Sequence, residues 1–459
     1  MPHTMKRIAA VIVFAWLVPA ANAQVPDAWT DVVREFDDYV AADKVVGGSM
    51  LFMRDGKVVA RHHTGYADRD AKLRVDDDTI FHWGSITKML TAVAILQLRD
   101  EGKLSLDDDI TKWLPTFDTK GNKVPLRRLL DHTSGIKGIT EIPEFGALAE
   151  RHLPKDSALA LIQRYPFDFP TGEAMIYNNS AFILLGHVIE KASGMSYEDY
   201  VEKKMFAPLG MTRSSYCNSN EVVEHRAHGY QFIPPPQRVA GQPPMRRADM
   251  NVHIWPYSAG SLCSTTGDLV TWIKALHGGK VLSPKSYTEM TTPSKLNDGT
   301  PLRYGMGIGV GTDIRGLKEI GHGGAIDGFV AQTTWYPDAQ MAVVVLINSA
   351  GPISPAALGS ELAGAVLPWT RWQPKTFAGD VTPWLGKYTG PSRGRPMTVE
   401  VTKAPDGGLL LSLNGSPARP MGWVSGTSFR PLQTNGMLTF KPGVVQVDQG
   451  GGLYVLKKL

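Results

Sequence analysis

Gly84-Ser85-Ile86-Thr87-Lys88 places a serine and a lysine three residues apart, directly before an apolar segment. An α-helix turns about once every 3.6 residues, so side chains at positions i and i+3 share a face. Apolar residues recur after the stretch at helical spacing: Met89, Ala92, Val93 and Leu96. We therefore predict a buried helix whose first turn brings the Lys88 amine to the Ser85 hydroxyl.

This pairing can produce a nucleophile. Serine reacts poorly at neutral pH and needs a base beside it. Lys88 can be that base only where burial lowers its pKa, because desolvation disfavours the charged ammonium. The start of a helix also turns its dipole and the free N–H of Ser85 toward a developing oxyanion.

The same four-residue spacing occurs a second time, at Ser134-Gly135-Ile136-Lys137. This copy has Gly135 inside a turn and is followed by Gly138, which disfavours a firm helix. We therefore predict that Ser134 is a turn residue.

Two further motifs make the serine–lysine pattern more specific. Tyr177-Asn178-Asn179 follows the turn at Pro170-Thr171-Gly172, and His322-Gly323-Gly324 precedes a strand predicted from Phe329. In this order the three elements resemble the serine hydrolases of the penicillin-binding protein and class C β-lactamase family, whose marks are S-x-x-K, Y-x-N and K-T-G or H-x-G. Supporting stretches within residues 27–367 also match the family: Gly102–Asp108, Leu129–Gly135 and Tyr304–Gly307.

The resemblance implies catalytic roles at the matching positions. Ser85 would form an acyl enzyme, and Lys88 would take the serine proton. Tyr177 would pass that proton to the leaving group, as a phenolate only if nearby positive charge lowers its pKa. Taken alone, Tyr177 would be an ordinary core or surface residue, so its assignment depends on its companions.

The resemblance also implies how substrate is held. Asn179 would bind the acyl side of the substrate and orient Lys88, although it could instead serve only as the N-cap of the next helix. The N–H groups of Ser85 and Ala325 would form the oxyanion hole, with Gly324 beside them. Neither a metal nor a cofactor is expected.

His322 departs from the lysine of the lactamases. Lysine is charged at neutral pH and suits a substrate carboxylate, whereas histidine is charged only part of the time. This difference weakens the case for a dedicated β-lactamase or carboxypeptidase and widens the substrate class to esters and D-amino-acid peptides or amides. If the charge of His322 helps to bind an anionic substrate, affinity should fall as pH rises through neutrality.

Periodicity and turn residues predict an α+β fold of the β-lactamase/transpeptidase type: an antiparallel sheet flanked by helices, with a helical insertion. The predicted elements are helices at 28–42, 181–192 and 355–367, a hairpin at 49–61, and strands at 329–336 and 341–347. We assign residues 24–370 to the hydrolase domain. Short alternating runs with frequent turns predict a small, accessory all-β domain at residues 376–459.

Residues 1–23 resemble a secretory signal peptide, with Lys6-Arg7, a short apolar run and the ending Ala21-Asn22-Ala23. The apolar run is shorter than the roughly 20 residues needed to span a bilayer. We therefore expect an exported protein, periplasmic or secreted, without a stable membrane span after cleavage. Export permits a bridge between Cys217 and Cys263 but does not require one.

The composition bounds the remaining possibilities. A chain of 459 residues with 43% hydrophobic content can form a large core and a second, smaller domain. A formal charge of +4 gives no reason to expect nucleic acid as a partner. The sequence thus predicts a hydrolase for a small-molecule or peptide substrate (an ester, an amide or a β-lactam), the alternative being a non-catalytic cell-wall or penicillin-binding receptor. The oligomeric state stays open.

Overall fold

The computed structural model describes residues 25–217, 223–249, 252–313, 315–370, 372–432, 436–449 and 451–459. The signal peptide predicted at residues 1–23 lies outside the described residues. Within these ranges, no helix combines the length and the apolar character that crossing a bilayer demands.

The helices agree with the predicted segments and add several short ones between them. A 3₁₀ turn, Gly84–Ile86, directly precedes the second helix. The helices are α1 (Asp27–Ala41), α2 (Thr87–Asp100), α3 (Ile110–Trp113), α4 (Leu126–Leu130), α5 (Phe145–Leu148), α6 (Ser157–Ile162), α7 (Asn179–Ser193), α8 (Tyr197–Val201), α9 (Ala207–Leu209), α10 (Tyr257–Gly260), α11 (Thr266–His277), α12 (Pro284–Met290) and α13 (Pro355–Val366).

The strands fall into a large sheet, two small sheets and a barrel. They are β1 (Gly47–Arg54), β2 (Lys57–Asp68), β3 (Leu73–Arg74), β4 (Phe81–His82), β5 (Met175–Ile176), β6 (Ser215–Tyr216), β7 (Tyr230–Phe232), β8 (Met245–Arg247), β9 (Leu262–Ser264), β10 (Gly309–Thr312), β11 (Lys318–Ile326), β12 (Phe329–Tyr336), β13 (Met341–Ile347), β14 (Ser349–Ala350), β15 (Gly386–Gly390), β16 (Met397–Lys403), β17 (Leu409–Leu413), β18 (Arg419–Ser425), β19 (Ser428–Pro431), β20 (Met437–Lys441), β21 (Val444–Gln449) and β22 (Gly452–Lys458).

The central antiparallel sheet has the strand order β10-β11-β12-β13-β1-β2-β3. Every residue of β13 is buried, because helices cover both faces of the sheet. Successive side chains alternate between the faces: Val343 and Val345 pack with α1 and α13, whereas Val344 and Leu346 join the larger core. The predicted α+β sheet flanked by helices is therefore confirmed.

The helical insertion between the two halves of the sheet is built around α2 and α7, which pack against each other. In α2, every residue from Thr87 to Leu96 is buried, so the helix is enclosed on all sides. The next long helix, α7, begins after Asn178, whose side chain accepts a hydrogen bond from the N–H of Ala181. It ends at Gly194, in the left-handed conformation that glycine adopts most easily.

The C-terminal strands β15–β22 form an antiparallel barrel, as the all-β prediction for this region requires. The barrel closes where β15 pairs with β22, at Tyr388 opposite Lys458. Its interior is filled by apolar side chains that include Val399, Phe440 and Leu456. The barrel is also joined to the preceding domain, because β22 pairs with the short strand β5.

Cys217 and Cys263 form a disulfide, which settles a question that the sequence left open. Cys263 lies on β9 and is paired in register with His82 on β4, three residues before Ser85. The bridge therefore ties β9, the strand beside β4, to Cys217, which lies 46 residues from Cys263 along the chain.

Removing this bridge should lower the free energy of unfolding. For a loop of 46 residues, chain entropy in the unfolded state corresponds to about 4 kcal/mol, and measured losses are typically about 2 to 4 kcal/mol. Urea denaturation of the double variant Cys217→Ala/Cys263→Ala, compared with oxidised and reduced wild-type protein, measures the effect. Equal unfolding midpoints for all three would contradict the prediction.

Candidate active site

Ser85 lies in the 3₁₀ turn that opens into α2, and glycine residues bring the sheet against this turn. A Cβ at position 324 would lie 1.8 Å from Trp83 O and 3.1 Å from Ser85 N. Gly84 has φ +54°, in the left-handed region that favours glycine, and a Cβ there would lie 2.8 Å from Ala325 N. The backbone of β11 thus runs directly beside the nucleophile candidate.

The same crowding brings the two predicted oxyanion donors together. Strand β10 pairs with β11 only as far as Gly321. Along the rest of that edge of β11, from His322 to Ile326, the neighbour is the Gly84 turn and not β10. Ser85 and Ala325 are contributed by these two adjacent stretches of backbone. Their N–H groups therefore lie in the same small region, as an oxyanion hole requires.

The Lys88 amine is fully buried and contacts three different parts of the protein. Its Nζ lies 3.0 Å from Ser85 Oγ, 2.8 Å from Asn179 Oδ1 and 2.8 Å from the carbonyl oxygen of Ala259. The last two atoms can only accept hydrogen bonds. A neutral amine satisfies this set completely, because it donates to both acceptors and keeps one lone pair for the Ser85 hydroxyl.

Burial also lowers the pKa of Lys88 well below its ordinary value, and the nearby positive charge of Arg393 acts in the same direction. No carboxylate is among the three hydrogen-bond partners of Nζ to oppose this shift. The environment therefore favours the uncharged amine, the form that can accept a proton from serine.

Tyr177 lies against this pair. Its ring centroid is 4.8 Å from Lys88 Nζ and 4.3 Å from the centroid of the His132 ring. The Tyr177 hydroxyl is buried and makes no hydrogen bond of normal geometry to the described residues. Burial raises the pKa of Tyr177, against smaller opposing effects of Ser85 and Arg393. A phenolate would require nearby positive charge to lower the pKa of Tyr177, and the net shift is in the opposite direction. Tyr177 is therefore a neutral phenol.

Asn179 is the first residue of α7, one position after the N-cap. The N-cap is Asn178, so the interpretation of Asn179 as a capping residue is wrong. Its Oδ1 accepts from Lys88, and its Nδ2 lies 3.4 Å from Thr140 Oγ1. The predicted orientation of Lys88 by Asn179 is therefore present in the structure.

His322 is buried and neutral. Its Nδ1 lies 2.5 Å from the carbonyl oxygen of Gly323, which can only accept, so Nδ1 carries the proton. Its Nε2 then accepts from the Tyr304 hydroxyl at 2.9 Å. Burial, with a contribution from Lys88, lowers the pKa of His322 to about 3. The idea that a charged His322 attracts an anionic substrate does not fit these surroundings.

Ser85 opens onto a small cavity of about 130 Å³. The polar side chains that line it include Asn179 and Thr140. Most of its other lining side chains are apolar: Ile139, Phe145, Trp255, Pro256 and Ile326. The space beside the nucleophile therefore suits a compact, uncharged group.

The second copy of the S-x-x-K spacing does not form a comparable pair. The Lys137 amine lies 2.9 Å from Asp168 Oδ1, in an ion pair. Ser134 is buried, and its Oγ accepts from the N–H of Ile136 at 3.3 Å. Gly135 has φ +80°, as a turn requires. The interpretation of Ser134 as a turn residue is confirmed.

The structure thus brings all seven predicted residues together and adds groups that the sequence did not indicate. The carbonyl of Ala259 comes from a helical turn far along the chain. The barrel contributes two further groups, both next to Tyr177. Gly451 O accepts a hydrogen bond from the N–H of Tyr177 at 3.0 Å. The guanidinium carbon of Arg393 lies 5.5 Å from the Tyr177 ring centroid. No local pattern marks these three residues, because their position depends entirely on tertiary contacts.

The chain is similar to known proteins over most of its length. The family model described as Beta-lactamase matches residues 32–367. Penicillin-binding protein 4* of Bacillus subtilis is 28% identical over 309 residues, which cover 66% of this chain and 68% of that protein. The structure of the octameric penicillin-binding protein homologue from Pyrococcus abyssi has 25% identity and a TM-score of 0.64, and the match covers 94% of this chain and 100% of that one.

A third match is the D-amino acid amidase from Ochrobactrum anthropi SV3 complexed with D-phenylalanine, with 26% identity and a TM-score of 0.64 over 74% of this chain and 99% of that one. Taken together, the fold and the matches define a serine hydrolase. The chain belongs to the Beta-lactamase family, whose model covers the whole region from α1 to the end of α13 apart from a few residues at the start.

The neutral state of His322 predicts the pH dependence of substrate binding. With a pKa of about 3, His322 does not change its charge between about pH 6 and pH 8. The KM for a carboxylate-bearing substrate should therefore have the same pH profile in wild-type protein and in His322→Gln over this range. A KM that rises through neutrality in the wild type, but not in the variant, would contradict the prediction.

Proposed function

We propose that this chain is an exported hydrolase that cleaves an ester or amide through an acyl enzyme on Ser85. The observation that carries the proposal is the buried Lys88 amine, 3.0 Å from Ser85 Oγ and held by two further acceptors. An uncharged amine in this position is the base that a serine nucleophile needs.

The geometry supports the following first half-reaction. Ser85 Oγ attacks the substrate carbonyl carbon as its proton passes to Lys88 Nζ. The oxyanion that forms is stabilised by the N–H groups of Ser85 and Ala325, and each such donor typically contributes about 2.7 to 4 kcal/mol in the transition state. The proton then reaches the leaving group through the Tyr177 hydroxyl, the bond to the leaving group breaks, and the acyl ester on Ser85 remains.

Hydrolysis of the acyl ester completes the cycle. Water gives a proton to the Lys88–Tyr177 pair and adds its oxygen to the acyl carbon, with the same two N–H groups stabilising the oxyanion. The ester bond to Ser85 then breaks, and the proton returns to Ser85 Oγ. The products are the free acid and the leaving group, and the protein is restored.

The small cavity beside Ser85 favours a compact acyl group with an apolar side chain. Amides and short peptides of D-amino acids are the substrate class with most support, because two related structures are described as a D-amino acid amidase and a D-stereospecific amidohydrolase. Small esters and β-lactams remain within the same chemistry, since all of them acylate serine.

Export is supported by two independent features. Residues 1–23 have the pattern of a secretory signal peptide. The disulfide between Cys217 and Cys263 fits an oxidising compartment, where such bridges persist. We therefore propose a periplasmic or secreted location.

Acylation of Ser85 tests the proposal. Wild-type protein, Ser85→Ala and the matched control Ser134→Ala are each exposed to p-nitrophenyl esters, D-amino-acid amides, short D-peptides and a chromogenic cephalosporin. Intact mass spectrometry followed by peptide mapping should locate the acyl group on Ser85 in the wild type and the control. Ser85→Ala should lose turnover by at least about 10⁴-fold, as typically follows removal of a nucleophile.

Two outcomes would contradict the proposal. Unchanged turnover in Ser85→Ala would place the chemistry elsewhere. Non-covalent binding without acylation of the wild type by any of these donors would favour the alternative, a cell-wall or penicillin-binding receptor that retains the pocket.

A further inference from the structure

Arg393 of the barrel extends to the entrance of the catalytic cavity. It lies in the loop between β15 and β16, and its Nε donates to Glu141 Oε1 at 2.7 Å. Its Nη2 lies 3.5 Å from Thr140 Oγ1, and Thr140 lines the cavity that contains Ser85. The guanidinium carbon is 5.5 Å from the Tyr177 ring centroid. Arg393 is thus anchored at the rim of the site by residues of the hydrolase part.

The charge of Arg393 is what distinguishes it from the other basic groups of the site. The surroundings of Lys88 and His322 favour their neutral forms, so neither offers a full positive charge to a substrate. A guanidinium, in contrast, stays charged throughout the pH range of proteins. Arg393 therefore brings a permanent positive charge to Tyr177, and Glu141 pairs with this charge through Nε.

The contacts of Arg393 leave part of its hydrogen-bonding capacity for a ligand. Only two of its five N–H groups are used toward Glu141 and Thr140 in the described part of the chain. The Arg393 side chain is 45% exposed, whereas that of Glu141 is 10% exposed. Glu141 thus fixes the orientation of the guanidinium at Nε and leaves an accessible edge suited to a carboxylate.

Because Arg393 lies beside Tyr177, its accessible N–H groups face one half of the substrate, either the acyl group or the leaving group. The role of Tyr177 indicates which half this is. Tyr177 is the group that we place at the leaving group, and neither Tyr177 nor Arg393 is among the residues that line the acyl cavity. We infer that Arg393 binds a carboxylate carried by the leaving group, so that the barrel selects substrates whose leaving half is a free amino acid or hydroxy acid. This inference rests on the proposed function and names its substrate class more closely.

A pair of matched substrates tests the inference. The acyl group that wild-type protein hydrolyses fastest is coupled to alanine and to alaninamide, or to lactate and lactamide if the enzyme acts only on esters. The two members of a pair differ only in the terminal carboxylate. A charge-assisted hydrogen bond to this group should make kcat/KM about tenfold or more higher for the acid than for the amide, and the preference should shrink at high salt.

Three variants separate recognition from structure. Arg393→Gln should abolish the preference for the acid, mainly through KM, and Arg393→Lys should restore part of it. Arg395→Gln is the matched control, because Arg395 lies in the same loop and its side chain makes no hydrogen bond or ion pair within the described residues; it should keep the preference. Thermal unfolding of each variant checks that the barrel stays folded.

The possible failures can be told apart. Equal loss of kcat/KM for the acid and the amide in Arg393→Gln would mean that Arg393 only supports the structure, and it would overturn the inference. Equal rates for the two substrates in the wild type, or turnover of neither, would also overturn the inference. Acylation of Ser85 by other donors would still support the proposed function in that case. Only the absence of any acylation of Ser85 would remove the proposed function as well.

Discussion

The burial of the Lys88 amine is the constraint on which the rest of this structure depends. Lys88 would be charged in the unfolded chain at neutral pH, whereas its native surroundings favour the neutral form. The unfolded state therefore binds a proton that the native state does not, and stability rises with pH between the native pKa and the ordinary value near 10.5. At neutral pH the group costs stability, which the apolar packing of α2 offsets. This loss of stability accompanies function, because the neutral amine is the form that can activate serine.

Each structural part supplies one kind of group to this centre. The helical insertion contributes the base and the residues that hold it, Asn179 on α7 and the carbonyl of Ala259 on α10. The central sheet contributes backbone, brought close by Gly84 and Gly324. The barrel contacts Tyr177 through the Gly451 carbonyl and the Arg393 guanidinium. The proposed reaction and the proposed selection of its leaving group thus involve different parts of the chain.

Sequence reasoning succeeded where chemistry follows from local spacing. The i, i+3 relation placed Lys88 beside Ser85, and the turn at Gly135 excluded the second serine-lysine pattern. Family motifs then brought in Tyr177, which no local pattern would have identified. The sheet and the barrel were also predictable, because alternation and turn residues mark strands directly.

Properties that depend on distant residues could not be predicted in the same way. The neutral state of His322 results from burial and from the hydroxyl of Tyr304, neither of which the H-x-G motif reveals. The disulfide joins residues 46 positions apart, and composition alone did not decide it. Arg393 is separated from the motifs by the whole of α13 and the first barrel strand, so only the folded structure shows that it reaches Tyr177.

The protonation state of Lys88 is the most direct test of this account. Wild-type protein carrying ¹⁵Nζ-labelled lysine can be titrated by NMR, with Lys88→Arg used to assign the resonance. The account predicts that Lys88 Nζ loses its proton well below the ordinary lysine pKa of about 10.4, because burial disfavours the charged amine. A Lys88 amine that stays charged up to about pH 10, as expected for an unperturbed lysine, would contradict the account.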